Sequence, residues 1–199
     1  MSALSAVLAA REQLKTLTPL KTDCGRLCAG ACCQGDEQTG MLLFPVEEAL
    51  YEGCTFGRVI DGEFSLGGTQ ARLFVCRGTC DRDNRPLACR LFPLFLTFKE
   101  DGSTKLRMDR RAKAVCPLTD YGIKSLDPEF KQAARQAYDL LLEDDACAAY
   151  LKALDEAFTL YPPIMQKRAI PARRIARMIM PELIVSALFY VWITYRSQQ

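Results

Sequence analysis

Apolar residues near the start of the chain recur at the spacing of a helix. Arg11 and Lys15 turn away from this apolar face, so the pattern predicts an amphipathic N-terminal helix that packs on the core. The residues of the predicted face are Leu4, Val7, Leu8, Leu14 and Leu17.

The middle of the chain changes to short apolar runs separated by turn residues. The run MLLF at residues 41–44 is closed by Pro45, and the following VEEALYEG has a helical pattern that stops at Gly53. Residues 56–75 alternate apolar and polar positions around the pairs DG and GG. The pattern predicts a strand, a short helix, and then two or three short strands that end at Cys76.

Two further patterns complete the predicted fold. Residues 94–109 indicate a hairpin with its turn at the DG pair 101–102. From Asp127 onward the period becomes 3.6, which predicts two helices, or one helix with a break near residues 144–145. We therefore expect an α+β fold: a single, mostly helical domain of residues 1–199 with small antiparallel strands. The apolar positions of the helices are Phe130, Ala134, Ala137, Leu140, Leu141, Ala148, Leu151, Leu154 and Phe158.

The last part of the predicted helical region 127–199 is basic and then strongly apolar. The apolar tail 178–195 is interrupted by Pro181 and Glu182 and falls short of the roughly 20 clean residues of a membrane span. Because the tail is apolar nearly all round, we expect a buried helix, or one that contacts a protein partner or a second copy of the chain. Membrane insertion is not favoured.

Charge and compartment narrow the function classes. Lys plus Arg is 26 and Asp plus Glu is 24, for a net charge of +2, which does not favour nucleic acid as a partner. No basic residue precedes the stretch ALSAVLAA, and Arg11 interrupts it, so we do not interpret it as a secretion signal and expect a cytoplasmic protein. Because disulfides rarely persist in the reducing cytosol, the ten cysteines need another explanation.

Eight of the ten cysteines fall in two groups among polar residues and glycine. In CGRLCAGACC at residues 24–33, the first three cysteines share one face if the segment is helical, or surround one centre if Gly25 and Gly30 open it into a loop. The adjacent pair at its end disfavours disulfide formation. The predicted metal ligands are Cys24, Cys28, Cys32, Cys33, Cys76, Cys80, Cys89 and Cys116. We interpret Cys54 and Cys147 as small buried apolar residues.

Four thiolates suit both zinc and a 4Fe-4S iron–sulfur cluster. The chain has no histidine, a frequent zinc ligand, and the pair Cys116-Pro117 is similar to the end of a ferredoxin ligand run, so iron is favoured. Arg85 and Arg90 flank Cys89 and are predicted to donate to the sulfur atoms. The acidic runs, including Glu47 and its neighbour, are predicted to be solvated.

Several of these motifs together resemble a known family. A cysteine run that ends in a doublet, then MLLFPVEEA, then RPLACRLFP at residues 85–93, and then Cys116 resembles the YkgJ-type family of zinc- or iron-chelating cysteine-cluster proteins. The resemblance covers residues 24–117 and implies that this region binds metal. The spacing departs from the family, because three residues rather than two separate the first cysteines.

The function hypotheses differ in what the metal does. The first is a metal-binding protein that holds an iron–sulfur cluster or zinc. The second is a metal-dependent protein-modifying enzyme, since a similar cysteine cluster occurs in flagellin lysine N-methylase; the chain has no GxGxxG fingerprint for the methyl donor. The third is a zinc-stabilised protein-interaction module. Without histidine, a Ser-His-Asp triad is excluded.

Overall fold

A computed structural model of the chain describes residues 1–34, 40–78 and 82–160. Cys80 and the predicted C-terminal helix at residues 178–195 lie outside them. The α-helices are α1 (Ala3–Gln13), α2 (Gly25–Cys28), α3 (Leu87–Leu91), α4 (Leu118–Tyr121), α5 (Pro128–Leu142) and α6 (Asp145–Leu160). The strands are β1 (Met41–Leu42), β2 (Gly57–Leu66), β3 (Thr69–Cys76), β4 (Leu94–Phe98) and β5 (Thr104–Met108). The 3₁₀ helices are Ala31–Cys33, Glu47–Tyr51, Arg82–Asn84, Arg110–Ala114 and Ile123–Ser125.

The strands form two small antiparallel sheets, which confirms the predicted α+β class. β3 lies between β1 and β2, and β4 pairs only with β5. The β2–β3 turn falls at Gly67-Gly68, and Gly57 at the start of β2 pairs with Cys76 at the end of β3, so Cys76 ends a strand as predicted. The DG pair at residues 61–62, which was predicted to form a turn, instead lies within β2, where the register shifts between Asp61 and Ser65.

The hairpin and the two long helices follow the prediction closely. In the hairpin, Leu94 pairs with Met108, and the turn contains Gly102 with φ of 79°. Asp127 caps α5 by accepting the backbone N–H of Glu129 at 2.8 Å. The chain leaves the helix after Leu142 and starts α6 at Asp145, so the alternative of two helices is confirmed.

The N-terminal helix forms, and the predicted face is right in part: Val7 and Leu14 are buried, but Leu4, Leu8 and Arg11 do not point as predicted. Leu4 and Leu8 are 37% and 45% exposed. Small side chains on the buried face let α1 approach α5 closely, and Arg11, one turn after Val7, points inward with them. The buried face consists of Ala6, Val7, Ala10 and Leu14.

Two apolar clusters support the segments that carry cysteines. The main core joins α1, α3, β4, α5 and α6, and Cys24 and Cys116 pack at its margin. A smaller cluster of Leu43, Tyr51 and Phe74 lies on the three-stranded sheet, with Cys54 and Cys76 packed against it. Among the described residues, no helix has the length and apolar character needed to cross a membrane.

Candidate functional site

The first cysteine segment is a helical turn followed by a reversal. Cys24 and Cys28 lie one turn apart across α2, which places both side chains on the same side. Ala29 and Gly30 then adopt left-handed conformations, with φ of 50° and 66°. The reversal turns the Ala31–Cys33 helix back, so the segment follows the open-loop alternative rather than a continuous helix.

Five thiols of this segment and of Cys116 influence one another electrostatically. After the larger effects of burial or hydrogen bonding, an ionised Cys28 would raise the pKa values of Cys24, Cys32 and Cys116, and an ionised Cys116 would raise that of Cys24. Cys116 reaches the segment from the end of the Arg110–Ala114 helix, where its N–H donates to the carbonyl of Ala112 at 2.7 Å. We call the five residues the thiol cluster: Cys24, Cys28, Cys32, Cys33 and Cys116.

Burial is the main cause of the raised pKa of two of these thiols, and a hydrogen bond has the largest effect on the pKa values of the adjacent pair. Burial raises the pKa of Cys24 to about 11 and also raises the pKa of Cys116. The hydrogen bond between the adjacent thiols raises the pKa of Cys32 and lowers the pKa of Cys33 to about 6. Cys33 therefore becomes the thiolate, the form that binds metal, more readily than Cys24, Cys32 or Cys116.

Arg85 supplies positive charge to the thiol cluster; that it also donates hydrogen bonds to the sulfur atoms stays a prediction. Its guanidinium opposes part of the rise in the pKa of Cys24 and adds to the lowering of the pKa of Cys33. Arg90, predicted for the same role, instead donates to three backbone carbonyls: those of Arg85 at 3.0 Å, Arg11 at 3.3 Å and Asp83 at 2.7 Å. Arg90 thus holds the backbone around Arg85.

Glu47 is the largest departure from the sequence prediction, because its side chain is fully buried rather than solvated. Its carboxylate accepts the N–H of Leu87 at 2.7 Å and that of Phe44 at 3.1 Å, and it pairs with Arg11 at 2.9 Å. Burial raises the pKa of Glu47, and these three donors oppose that shift. Arg11 also donates to the hydroxyl of Tyr51 at 2.8 Å.

Of the remaining predicted ligands, Cys76 lies beside the thiol cluster, Cys89 lies near Tyr51, and Cys80 lies outside the described residues. Cys76 accepts the N–H of Gly78 at 3.4 Å, and a Cβ at Gly78 would lie 3.7 Å from the carbonyl oxygen of Cys33. The end of β3 therefore lies against the cysteine doublet. Burial is the main cause of the raised pKa of Tyr51, and Cys89 makes a small contribution, so Cys89 lies near Tyr51. Cys80 lies outside the described residues.

The two cysteines predicted to be buried fillers differ in the structure. Cys147 is fully buried on α6, as predicted. Cys54 is only half-buried, and its Sγ donates to the carbonyl of Gly57 at 3.3 Å. All the cysteines within the described ranges are free thiols, consistent with the prediction that disulfides do not explain them.

The donor set fits a thiophilic metal by its chemistry but not by its described spacing. Within residues 1–34, 40–78 and 82–160, no three cysteine, aspartate or glutamate side chains are arranged to hold one metal ion. Thiolates on one zinc ion each lie about 2.3 Å from it, so the thiols would have to draw together around a metal. The chain matches no family model, no curated protein and no solved structure.

Proposed function

We propose that the protein binds a metal through its clustered thiols, as an iron–sulfur cluster or as zinc. The observation that carries the proposal is the backbone geometry of residues 24–33: Cys24 and Cys28 lie one helical turn apart, and the reversal at Ala29-Gly30 turns back the short helix that carries Cys32 and Cys33. Thiols gathered at a half-buried site repel one another once ionised, and a bound cation removes that repulsion. The resemblance of residues 24–117 to the cysteine-cluster family supports the same proposal.

The charges around the cluster also favour a thiolate-bound group. A zinc ion with four thiolates carries a net charge of about −2, and an oxidised 4Fe-4S cluster is similar. Arg85 acts on two thiols of the cluster, so it would offset part of this charge. The reversal at Ala29-Gly30 supplies a backbone that lets Cys28 and the doublet approach one centre.

The proposal is tested by reconstitution of the full chain without oxygen, with iron and sulfide in one arm and with zinc in the other. Cys28→Ser removes the thiol that acts on three others, and Cys147→Ser, in α6, is the matched control. We expect the unaltered chain and Cys147→Ser to bind metal in fixed stoichiometry and Cys28→Ser to lose most of it. Visible thiolate–iron absorption would identify a cluster, and colourless binding would identify zinc. Failure of the unaltered chain to bind either would refute the proposal.

A further inference from the structure

A buried polar network connects α1 to the segment that carries Arg85 and Cys89. We call it the positioning network, and its members are Arg11, Glu47, Tyr51 and Arg90. Every hydrogen bond described for Arg90 goes to a backbone carbonyl, and Glu47 accepts two backbone N–H groups. The network therefore joins its own side chains to each other and also holds main chain in place.

The backbone that the network fixes is the segment 83–90. Arg11 and Arg90 both donate to the carbonyl of Asp83, at 3.2 and 2.7 Å, and Glu47 accepts the N–H of Leu87. Arg90 also binds the carbonyl of Arg85. The main chain is thus held before, at and after Arg85. Arg82, just before this segment, pairs with Asp23, the neighbour of Cys24, at 3.9 Å, so the segment lies beside the thiol cluster.

The network includes a backbone conformation and buried charges that each cost free energy. Val46, directly before Glu47, has φ of 63°, a left-handed conformation that is rare and costly for a β-branched residue. Glu47 is a carboxylate with no exposed surface, and Arg90 is a buried cation that burial and the nearby Arg11 both disfavour. Strain and buried charge are characteristic of positions where geometry matters to function.

We propose that Glu47 is a positioning residue for the metal site, acting with Arg11 and Arg90 by holding Arg85 in place beside the thiol cluster. The inference rests on the proposed function. Glu47 contacts neither a thiol nor a metal in this role; it acts through the backbone of segment 83–90. Residues that orient the surroundings of a metal typically change its affinity by about 10- to 100-fold.

The test measures Cd²⁺ binding by the full chain through the ultraviolet absorption of cadmium–thiolate bonds, in competition with a chelator. Glu47→Gln removes the charge but keeps an oxygen that can accept a hydrogen bond. Asp155→Asn is the matched control, because Asp155 also accepts a backbone N–H, that of Phe98 at 2.8 Å, on a strand without cysteine. Arg11→Lys is a milder variant, which keeps the charge but cannot span Glu47, Tyr51 and Asp83 together. Circular dichroism confirms that each variant is folded at the temperature used.

We expect Glu47→Gln and Arg11→Lys to weaken Cd²⁺ binding at least tenfold and Asp155→Asn to change it less than twofold. Equal affinities in all folded variants would overturn the positioning role while leaving the proposed function standing. An equal loss in Asp155→Asn would also overturn it, because the effect would then follow from general destabilisation. If the unaltered chain does not bind Cd²⁺, both the inference and the proposed function fail.

Discussion

The ion pair of Arg11 and Glu47 should contribute far more to stability than an exposed pair of the same geometry. The pair is 2.9 Å long, and its side chains are 11% and 0% exposed. The pair of Arg135 and Asp139 is 2.7 Å long, but its side chains are 39% and 50% exposed. Burial is therefore the main difference between two pairs of nearly equal length.

The expected magnitudes follow from this difference in solvent. Two unit charges about 4 Å apart interact by about 4 kcal/mol at an effective dielectric constant of 20, and side-chain and desolvation terms reduce what a cycle measures. We expect a coupling energy of about 2–3 kcal/mol for Arg11 and Glu47. For Arg135 and Asp139, one helical turn apart on the surface, we expect about 0.3–0.5 kcal/mol.

The assay is a double-mutant cycle for each pair, with urea unfolding of the unaltered chain, both single variants and the double variant. Arg11→Met and Glu47→Gln form the first cycle, and Arg135→Met and Asp139→Asn form the second. Hydrogen bonds from Arg11 to other groups cancel, because they are lost in both Arg11 variants. A coupling energy for the buried pair no larger than that of the surface pair would refute the reasoning.

Three further predictions concern single residues. Val46→Gly should stabilise the fold by about 0.5–1 kcal/mol, because relief of a left-handed conformation that costs about 1–2 kcal/mol exceeds the entropy that glycine adds to the unfolded chain. Urea unfolding measures this, with Val59→Gly in β2, which should destabilise the fold, as the control. A loss of stability in Val46→Gly would contradict the prediction. The hydroxyl of Tyr150 is buried without a hydrogen-bond partner among the described residues. Tyr150→Phe should therefore raise the free energy of unfolding by about 1 kcal/mol. A decrease of that size in thermal melts would show that the hydroxyl does have a hydrogen-bond partner. Burial raises the pKa of the Cys147 thiol from 9.0 to about 12. The unfolded chain therefore loses this proton at lower pH than the folded chain, and the free energy of unfolding should fall as pH rises from about 9 toward 12. A Cys147→Ala variant should show a smaller fall, and equal pH dependence in both chains would argue against the shift.

Local patterns predicted the hairpins and the long helices well, because their causes are local. Gly102 supplies a left-handed turn residue between two alternating runs, and the capping Asp127 precedes an apolar stripe of period 3.6. Each signal lies within the element that it predicts. For this reason the two-helix alternative and the second hairpin appear at nearly the predicted residues.

The buried carboxylate could not be predicted, because its causes are distant in the sequence. Glu47 and Glu48 are adjacent acids at the start of the same short helix, yet only Glu47 is fully buried. Its partners are Arg11, 36 residues earlier, and the N–H of Leu87, 40 residues later. The inward direction of Arg11 was missed for a related reason: the buried face of α1 is marked by alanines, which hydrophobicity patterns underweight.

The grouping of the cysteines was likewise only half predictable. Spacing and polar neighbours separated the clustered cysteines from Cys147, which is buried as expected. Whether Cys116 or Cys89 stands closer to the residues 24–33 depends on tertiary packing that no local pattern encodes. The electrostatic influence of Cys116 on Cys24 and of Cys89 on Tyr51 is information that only the folded chain supplies.

The central claim is that the thiols hold a metal, and the metal content of the full chain purified without oxygen tests it most directly. The measurement combines elemental analysis, sulfide determination and the visible absorption spectrum. The account predicts stoichiometric iron with sulfide and a brown chromophore, or stoichiometric zinc with no colour. Protein that is folded and reduced, carries neither metal, and takes up none on reconstitution would contradict it.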